Sequence, residues 1–245
     1  MTLAWSVLGE SVTGTGHRAN AVPCQDAFRF RPFGPESRWL AVAVADGAGS
    51  ATHAEVGATM TCDELVRCVA LGTPETLLTP DGLTELFCGV RDAVLAEAER
   101  LGVPGRELAC TALLAVVGPT AAAFAQVGDG AIVAGDRVVF WPEPAEYANA
   151  TDFLTDDDWA DRLRFEATTG PTDELAVITD GLQRLALDFA ARTPHAAFFR
   201  PLFDALRSAA DAETLVEPFR AFLESPRVNA RTDDDLTLVV AARRR

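Results

Sequence analysis

The strongest constraint on this chain is how its apolar runs are joined. Residues 111–117 (TALLAVV) and 121–127 (AAAFAQV) are strand-length segments separated only by Gly118-Pro119-Thr120. Parallel strands need a crossover of a dozen or more residues, so this short Gly-Pro connection reads as an antiparallel hairpin. A second hairpin signal, Gly135-Asp136, lies between short strands at 131–134 and 137–141. Further strands are expected at roughly 24–30 and at 39–45 (WLAVAVA), 175–179 (LAVIT) and 236–241 (LTLVVA). Helical spacing runs along 83–101, where Leu83, Leu86, Phe87, Val90, Val94, Leu95, Ala98 and Leu101 share one face, and along 54–71. Helices are also expected at 181–190, 196–210 and 212–224, and 11–20 reads as a strand followed by a loop. With no repeat, low-complexity segment or linker in 1–245, the chain reads as a single α+β domain, a sandwich of mainly antiparallel sheets with helices outside.

Composition narrows the chemistry. The 245 residues are 49% hydrophobic and 23% charged, an ordinary globular balance with enough chain for a sizeable core. The formal charge of −15 disfavours a nucleic-acid binder. All 21 basic residues are arginine. Without lysine there is no Walker A phosphate loop, no Schiff base or pyridoxal phosphate anchor, and no kinase of the usual kind. Cys24, Cys62, Cys68, Cys88 and Cys110 include no C-x-x-C spacing and read as reduced thiols. The N-terminus lacks signal-peptide features and no apolar run is long enough to span a membrane, so a cytoplasmic location is expected. The terminal Arg243-Arg244-Arg245 reads as a solvated tail.

The apolar strands are punctuated by aspartate. WLAVAVA runs into Asp46-Gly47, AAAFAQV into Gly128-Asp129-Gly130, and LAVIT into Asp180-Gly181. Asp233-Asp234-Asp235 opens the last strand, and Asp26 sits near the start of the second. One Asp-Gly is an ordinary turn. Several meeting at one place would crowd carboxylates, raise their pKa values and destabilise the fold. A bound divalent cation resolves that conflict, and all-oxygen ligands favour Mg²⁺ or Mn²⁺ over zinc.

Six segments in order, CQDA (24–27), VADGAGS (44–50), CTALLAVV (110–117), QVGDG (126–130), ITDG (178–181) and DDLTLVV (234–240), carry a resemblance. The chain resembles the metal-dependent protein phosphatases of type 2C, the PPM family, and most closely an atypical bacterial branch. The resemblance implies a four-layer αββα sandwich. It also implies a centre of two Mn²⁺ or Mg²⁺ ions, with a bridging hydroxide that attacks the phosphorus of phosphoserine or phosphothreonine. By motif match, Asp46 would bridge the metals, the Gly47 carbonyl would bind one, and Asp180 and Asp234 would complete the first. Asp234 is chosen over Asp235 because Asp-Asp-Leu-Thr aligns with the family's Asp-Asn-x-Thr. Asp26 would act through water, and Asp129 with Asp180 would hold a weaker third metal. The implied partners are a phosphorylated protein substrate and a cognate Ser/Thr kinase, with no nucleic acid and no membrane, and the chain is expected to be a monomer.

There are departures from the family pattern. Gln25-Asp26 stands where the family has Glu-Asp, Ala21 where it has a phosphate-binding Arg, and Ala48 where some members have a His. His17 and Arg18 are the candidates to reach the phosphate, against the plainer readings of a surface loop residue and a solvated charge. His53 reads as a helix N-terminal residue. The span 141–170 corresponds to a flap near the active site, and Asp156-Asp157-Asp158 within it reads as a solvated helix start. Gln25 and Ala21 also support an alternative, a catalytically degenerate module that binds phosphoproteins.

Overall fold

The computed structural model describes residues 5–142 and 151–244. Two five-stranded antiparallel sheets form its centre. The first contains β1 (Trp5–Val12), β6 (Ala131–Ala134), β7 (Arg137–Val138), β9 (Glu174–Ile178) and β12 (Leu236–Arg243), in the order β1-β12-β9-β6-β7. The second contains β2 (Ala27–Phe33), β3 (Trp39–Ala45), β4 (Ala112–Val117), β5 (Ala121–Val127) and β8 (Arg164–Thr169), in sequence order. A small hairpin, β10 (Leu187–Asp188) with β11 (Thr193–Pro194), stands apart.

The period of two along each strand sorts residues between layers. On β3, Leu40, Val42 and Val44 point between the sheets, against Ile132, Val177 and Val239. The alternate Ala41, Ala43 and Ala45 face the helices α2 (Ala54–Leu71) and α4 (Pro80–Leu101). The small alanines let these helices approach closely, and Cys62, Leu65, Phe87 and Val90 fill the space. On β12, Val239 and Ala241 face the other sheet, while Leu238 and Val240 face outward. That outer face is covered by Phe199, Phe203 and Leu206 of α7 (Ala196–Ser208) and by Phe219 and Leu223 of α8 (Val216–Leu223). The result is the four-layer αββα sandwich.

Local chemistry fixes the long helix. Thr79 caps α4 by accepting the Gly82 N–H at 3.1 Å, Pro80 occupies its first turn, and Gly102 ends it in the left-handed region at φ 71°. His53 stands at the N-cap of α2.

Several expectations are corrected. Residues 11–20 hold the end of β1 and a short helix α1 (Thr15–Ala19), where a loop was expected. The second strand begins at Ala27, three residues later than read, because 24–26 are drawn into the site described below. The helix at 181–190 is one turn, α6 (Gln183–Ala186), before the chain enters the β10–β11 hairpin. The strand at 137–141 stops at Val138. The helix at 212–224 is a 3-10 turn followed by α8. Arg243 is no tail residue: it ends β12 with its side chain only 15% exposed. Short helices α3 (Pro74–Leu77), α5 (Trp159–Arg162) and α9 (Pro226–Asn229) complete the description.

Candidate active site

The ends of β3, β5 and β9 and the start of β12 open onto one cavity of about 220 Å³. His17, Asp46, Gly47, Asp129, Asp180, Asp234 and Asp235 line it, with Thr111, Thr151 and Phe153 among the other walls. Strand-end aspartates as far apart in sequence as Asp46 and Asp235 are thus brought together, because every strand that carries one is hydrogen-bonded into the same sandwich.

Each aspartate has its own support. Thr111 clamps the backbone of Asp46: its Oγ1 accepts the Asp46 N–H at 2.9 Å, and its N–H donates to the Asp46 carbonyl at 2.8 Å. Asp26 lies beneath the cavity floor, 8% exposed, where Thr179 Oγ1 donates to its Oδ2 at 2.8 Å. Asp129 accepts from Thr151 Oγ1 at 2.8 Å, and its carbonyl accepts from Gln183 Nε2. Its turn requires Gly128, which sits at φ +100° against Thr111. Asp235 is buried and fully engaged, accepting from Gly14 N–H at 2.7 Å, Gln25 N–H at 2.6 Å and His17 Nδ1 at 2.9 Å. A Cβ at Gly14 would lie 2.2 Å from the Asp234 backbone, so only glycine allows this approach. Asp234 is more exposed than its neighbour and lines the cavity.

The electrostatics are unfavourable for the protein alone. Burial raises Asp26 to about 8, the neighbouring Asp235 and Asp180 adding to it. Burial, then Asp26 and Asp180, push Asp46 well above the ordinary carboxylate range. Asp180 is raised to about 6, by burial and then by Asp129, and Asp234 is also raised, chiefly by burial. Asp46 and Asp180 are within hydrogen-bonding reach of each other. Asp26 Oδ1 and Asp180 Oδ1 are buried without a hydrogen-bond partner. Such orphans are costly unless something else satisfies them. Among the described residues, no three His, Cys, Asp or Glu side chains already close around a single point. The carboxylates surround an open space, and a hard divalent cation fits this all-oxygen donor set.

The protein phosphatase 2C family model matches residues 13–220. Serine/threonine-protein phosphatase 3 of Escherichia coli (strain K12) is 36% identical, with 98% of each chain covered. The chain belongs to the protein phosphatase 2C family. It is therefore an enzyme of the phosphoprotein phosphatase class. The fold agrees with solved bacterial relatives. Serine/threonine phosphatase Stp1 from Staphylococcus aureus superposes with a TM-score of 0.66 at 16% identity, covering 99% of this chain and 97% of that one. The S. agalactiae serine/threonine phosphatase gives 0.65 at 15% identity, covering 97% and 99%.

Of the residues singled out in the phosphatase sequence, His17, Asp46, Gly47, Asp129, Asp180 and Asp234 meet at the cavity, with Asp26 directly below. Arg18 does not join them: it is half-exposed, 3.8 Å from Glu224. His53 is likewise no part of the lining, its N–H bonded to the Glu107 carbonyl. The flap assignment falls partly on 143–150, outside the described residues. The remainder is tied down, with Leu154 N–H bonded to the Cys110 carbonyl at 2.9 Å and Arg91 reaching the Thr155 and Asp156 carbonyls at 3.3 Å. Asp158 precedes the helical turn α5 and pairs with Arg162.

Sequence reading missed Thr111, Thr151, Phe153, Thr179 and the supporting role of Asp235. The signal for Thr111 was present, since it follows Cys110 at the head of a buried strand, where a lone hydroxyl has to find a partner. Thr151 and Phe153 carried none. Among the described residues no helix is long and apolar enough to cross a membrane.

Proposed function

We propose that this phosphatase is a single domain that hydrolyses phosphoserine and phosphothreonine in proteins at the aspartate-lined cavity, using Mn²⁺ or Mg²⁺. The two buried carboxylate oxygens without partners, Asp26 Oδ1 and Asp180 Oδ1, carry this reading, because the cavity is incomplete without positive charge. Asp46, Asp180, Asp234 and the Gly47 carbonyl would hold the metals, with Asp26 behind them and Asp129 with Asp180 at a weaker third position. When bound, such ions lower the pKa of water and neutralise charge on phosphoryl oxygens.

The chain's own groups then position the substrate. An ionised carboxylate only accepts hydrogen bonds, so the His17 Nδ1 carries the proton given to Asp235. His17 also lines the cavity, and in its imidazolium form the Nε2 N–H would donate to a phosphoryl oxygen there. Asp235 is in turn fixed by two backbone N–H groups, which would make that imidazolium a rigid contact for an anion. Thr111 holds Asp46 in register, and Phe153 shields part of the cavity from water. A cytoplasmic monomer acting on proteins phosphorylated by a cognate Ser/Thr kinase completes the reading.

The test is hydrolysis of p-nitrophenyl phosphate and a phosphothreonine peptide by metal-stripped protein, titrated with Mn²⁺ and Mg²⁺ beside Asp180→Asn. Metal-dependent turnover that the variant loses is expected. Saturable Mn²⁺ binding by calorimetry without turnover would replace the reading with a phosphoprotein-binding module.

A further inference from the structure

A second cavity, of about 230 Å³, lies on the other side of Asp180 and Asp234, which line both. Its remaining walls are Gly181, Arg184, Arg231, Thr232 and Asp233. Arg184 lies on α6, next to Gln183, the residue bonded to the Asp129 carbonyl. Arg231 follows α9, its N–H held by the Val228 carbonyl at 2.8 Å. Both side chains are exposed, and neither has a hydrogen bond or ion pair among the described residues.

Many arginines of this molecule find carboxylates, as in Arg29–Asp63, Arg67–Glu64, Arg100–Glu97 and Arg220–Glu10, while others such as Arg200 and Arg227 are, like these two, without a partner among the described residues. Here two guanidinium groups share a cavity with three carboxylates and pair with none. One reason is that Asp234 is already engaged, its Oδ1 accepting the Asp235 N–H at 2.9 Å. Asp180 and Asp234 are also the proposed metal ligands. With their charge committed there, guanidinium outnumbers carboxylate in this cavity.

We propose that Arg184 and Arg231 form a specificity subsite for the carboxylate of an Asp or Glu near the phosphorylated residue of the substrate. The inference rests on the reading that a phosphopeptide occupies the adjoining cavity. The guanidinium fork matches a carboxylate in geometry as well as charge. The shared walls place the subsite within a few residues of an extended peptide from the phosphate, at about 3.3–3.6 Å per residue. The subsite works against the net charge of −15, which by itself would favour basic peptides. Local and global electrostatics therefore make opposite predictions.

The experiment compares phosphothreonine peptides carrying Asp, Ala or Lys at successive positions on either side, in wild type, Arg184→Ala, Arg231→Ala and Arg184→Lys. Wild type should favour Asp over Ala by about fivefold in KM at one or two positions, the scale of a partly exposed charge pair. Each alanine variant should bring that ratio below about twofold, and Arg184→Lys should keep part of it. The preference should shrink between about 50 and 500 mM salt. Fluorescence anisotropy with labelled phosphonate analogues should give the same ranking as binding, and a larger Asp advantage with Mn²⁺ than without. A Lys preference at every position, or an Asp preference that both alanine variants retain, would overturn the subsite. Failure of the underlying reading looks different, since wild type would then not turn over any of the peptides.

Discussion

The two ends of β12 handle charge in opposite ways. At its C-terminal end Arg243 is largely buried, yet its guanidinium stacks 4.3 Å from the Trp5 ring centroid, lies 3.3 Å from Asp173, and donates to the Gly118 carbonyl. At the N-terminal end Asp234 and Asp235 join Asp26, Asp46 and Asp180, where carboxylates face carboxylates and two buried oxygens have no partner. One end sets its charge against partners from the chain, although Arg243 Nε itself makes no hydrogen bond, and the other gathers like charges that the chain does not neutralise. The same strand therefore separates a charge that holds the fold together from charges that the fold must tolerate. Strain of the second kind is what a ligand-binding site requires.

The sharpest way to break this contrast is at Asp46. Asp46→Asn should reduce metal-dependent turnover by at least about 100-fold, the scale of losing one preorganised charge contact at a reacting centre. The same variant, stripped of metal, should be more stable than wild type by roughly 1 kcal/mol, because an unfavourable carboxylate is gone. Activity assays and thermal melts of the metal-free proteins check both. A variant that is both inactive and less stable would mean that the cluster is structural.

The next effect is on pH dependence. In the metal-free protein Asp26 titrates near 8 and Asp180 near 6, against about 4 in an unfolded chain. Between pH 4 and 8 the folded state thus holds protons that the unfolded state has released, and stability falls as pH rises through this window. Melting temperature should decline from pH 5 to 8 and level off above that. Saturating Mn²⁺ should remove the decline, and Asp46→Asn should flatten it. A metal-free melting temperature that is constant or rises over this range would contradict the assignment of these carboxylates as strained.

How legible each end was in the sequence follows from the same contrast. Most of the aspartates stand out because they sit at the end of a largely apolar run, where several charges recur in the same place. The hairpins, the helices 54–71 and 83–101, and the apolar run of β3 are local patterns, and they reappear in the structure. What could not be read depends on distant contacts. β8 is an edge strand, RFEATT, half-exposed and with no apolar run to mark it. Leu182, Leu185, Ala186 and Phe189 have helical spacing, but the chain leaves the helix at Leu187 to pair with Pro194. Thr111 and Thr179 are single hydroxyls whose importance appears only when a strand from elsewhere arrives beside them. Arg243 looked like part of a solvated basic tail because its partners, Trp5 and Asp173, lie far away in sequence.

The smallest effect tests the closed end. Arg243→Ala removes a stacked cation, a partly exposed ion pair and a hydrogen bond to the Gly118 carbonyl. It should lower stability by about 1–2 kcal/mol, the ion pair contributing least because Asp173 is 42% exposed. Arg243→Lys should recover less than half of that, since an ammonium cannot lie flat on Trp5 while reaching both Asp173 and Gly118. Chemical denaturation of the three proteins measures this. Turnover and Mn²⁺ affinity well below the melting temperature should match wild type, because Arg243 lies at the opposite end of the strand from the aspartates. A matched loss of Mn²⁺ affinity would show that the two ends of β12 are energetically coupled, and that the division of labour between them is not a real property of the fold.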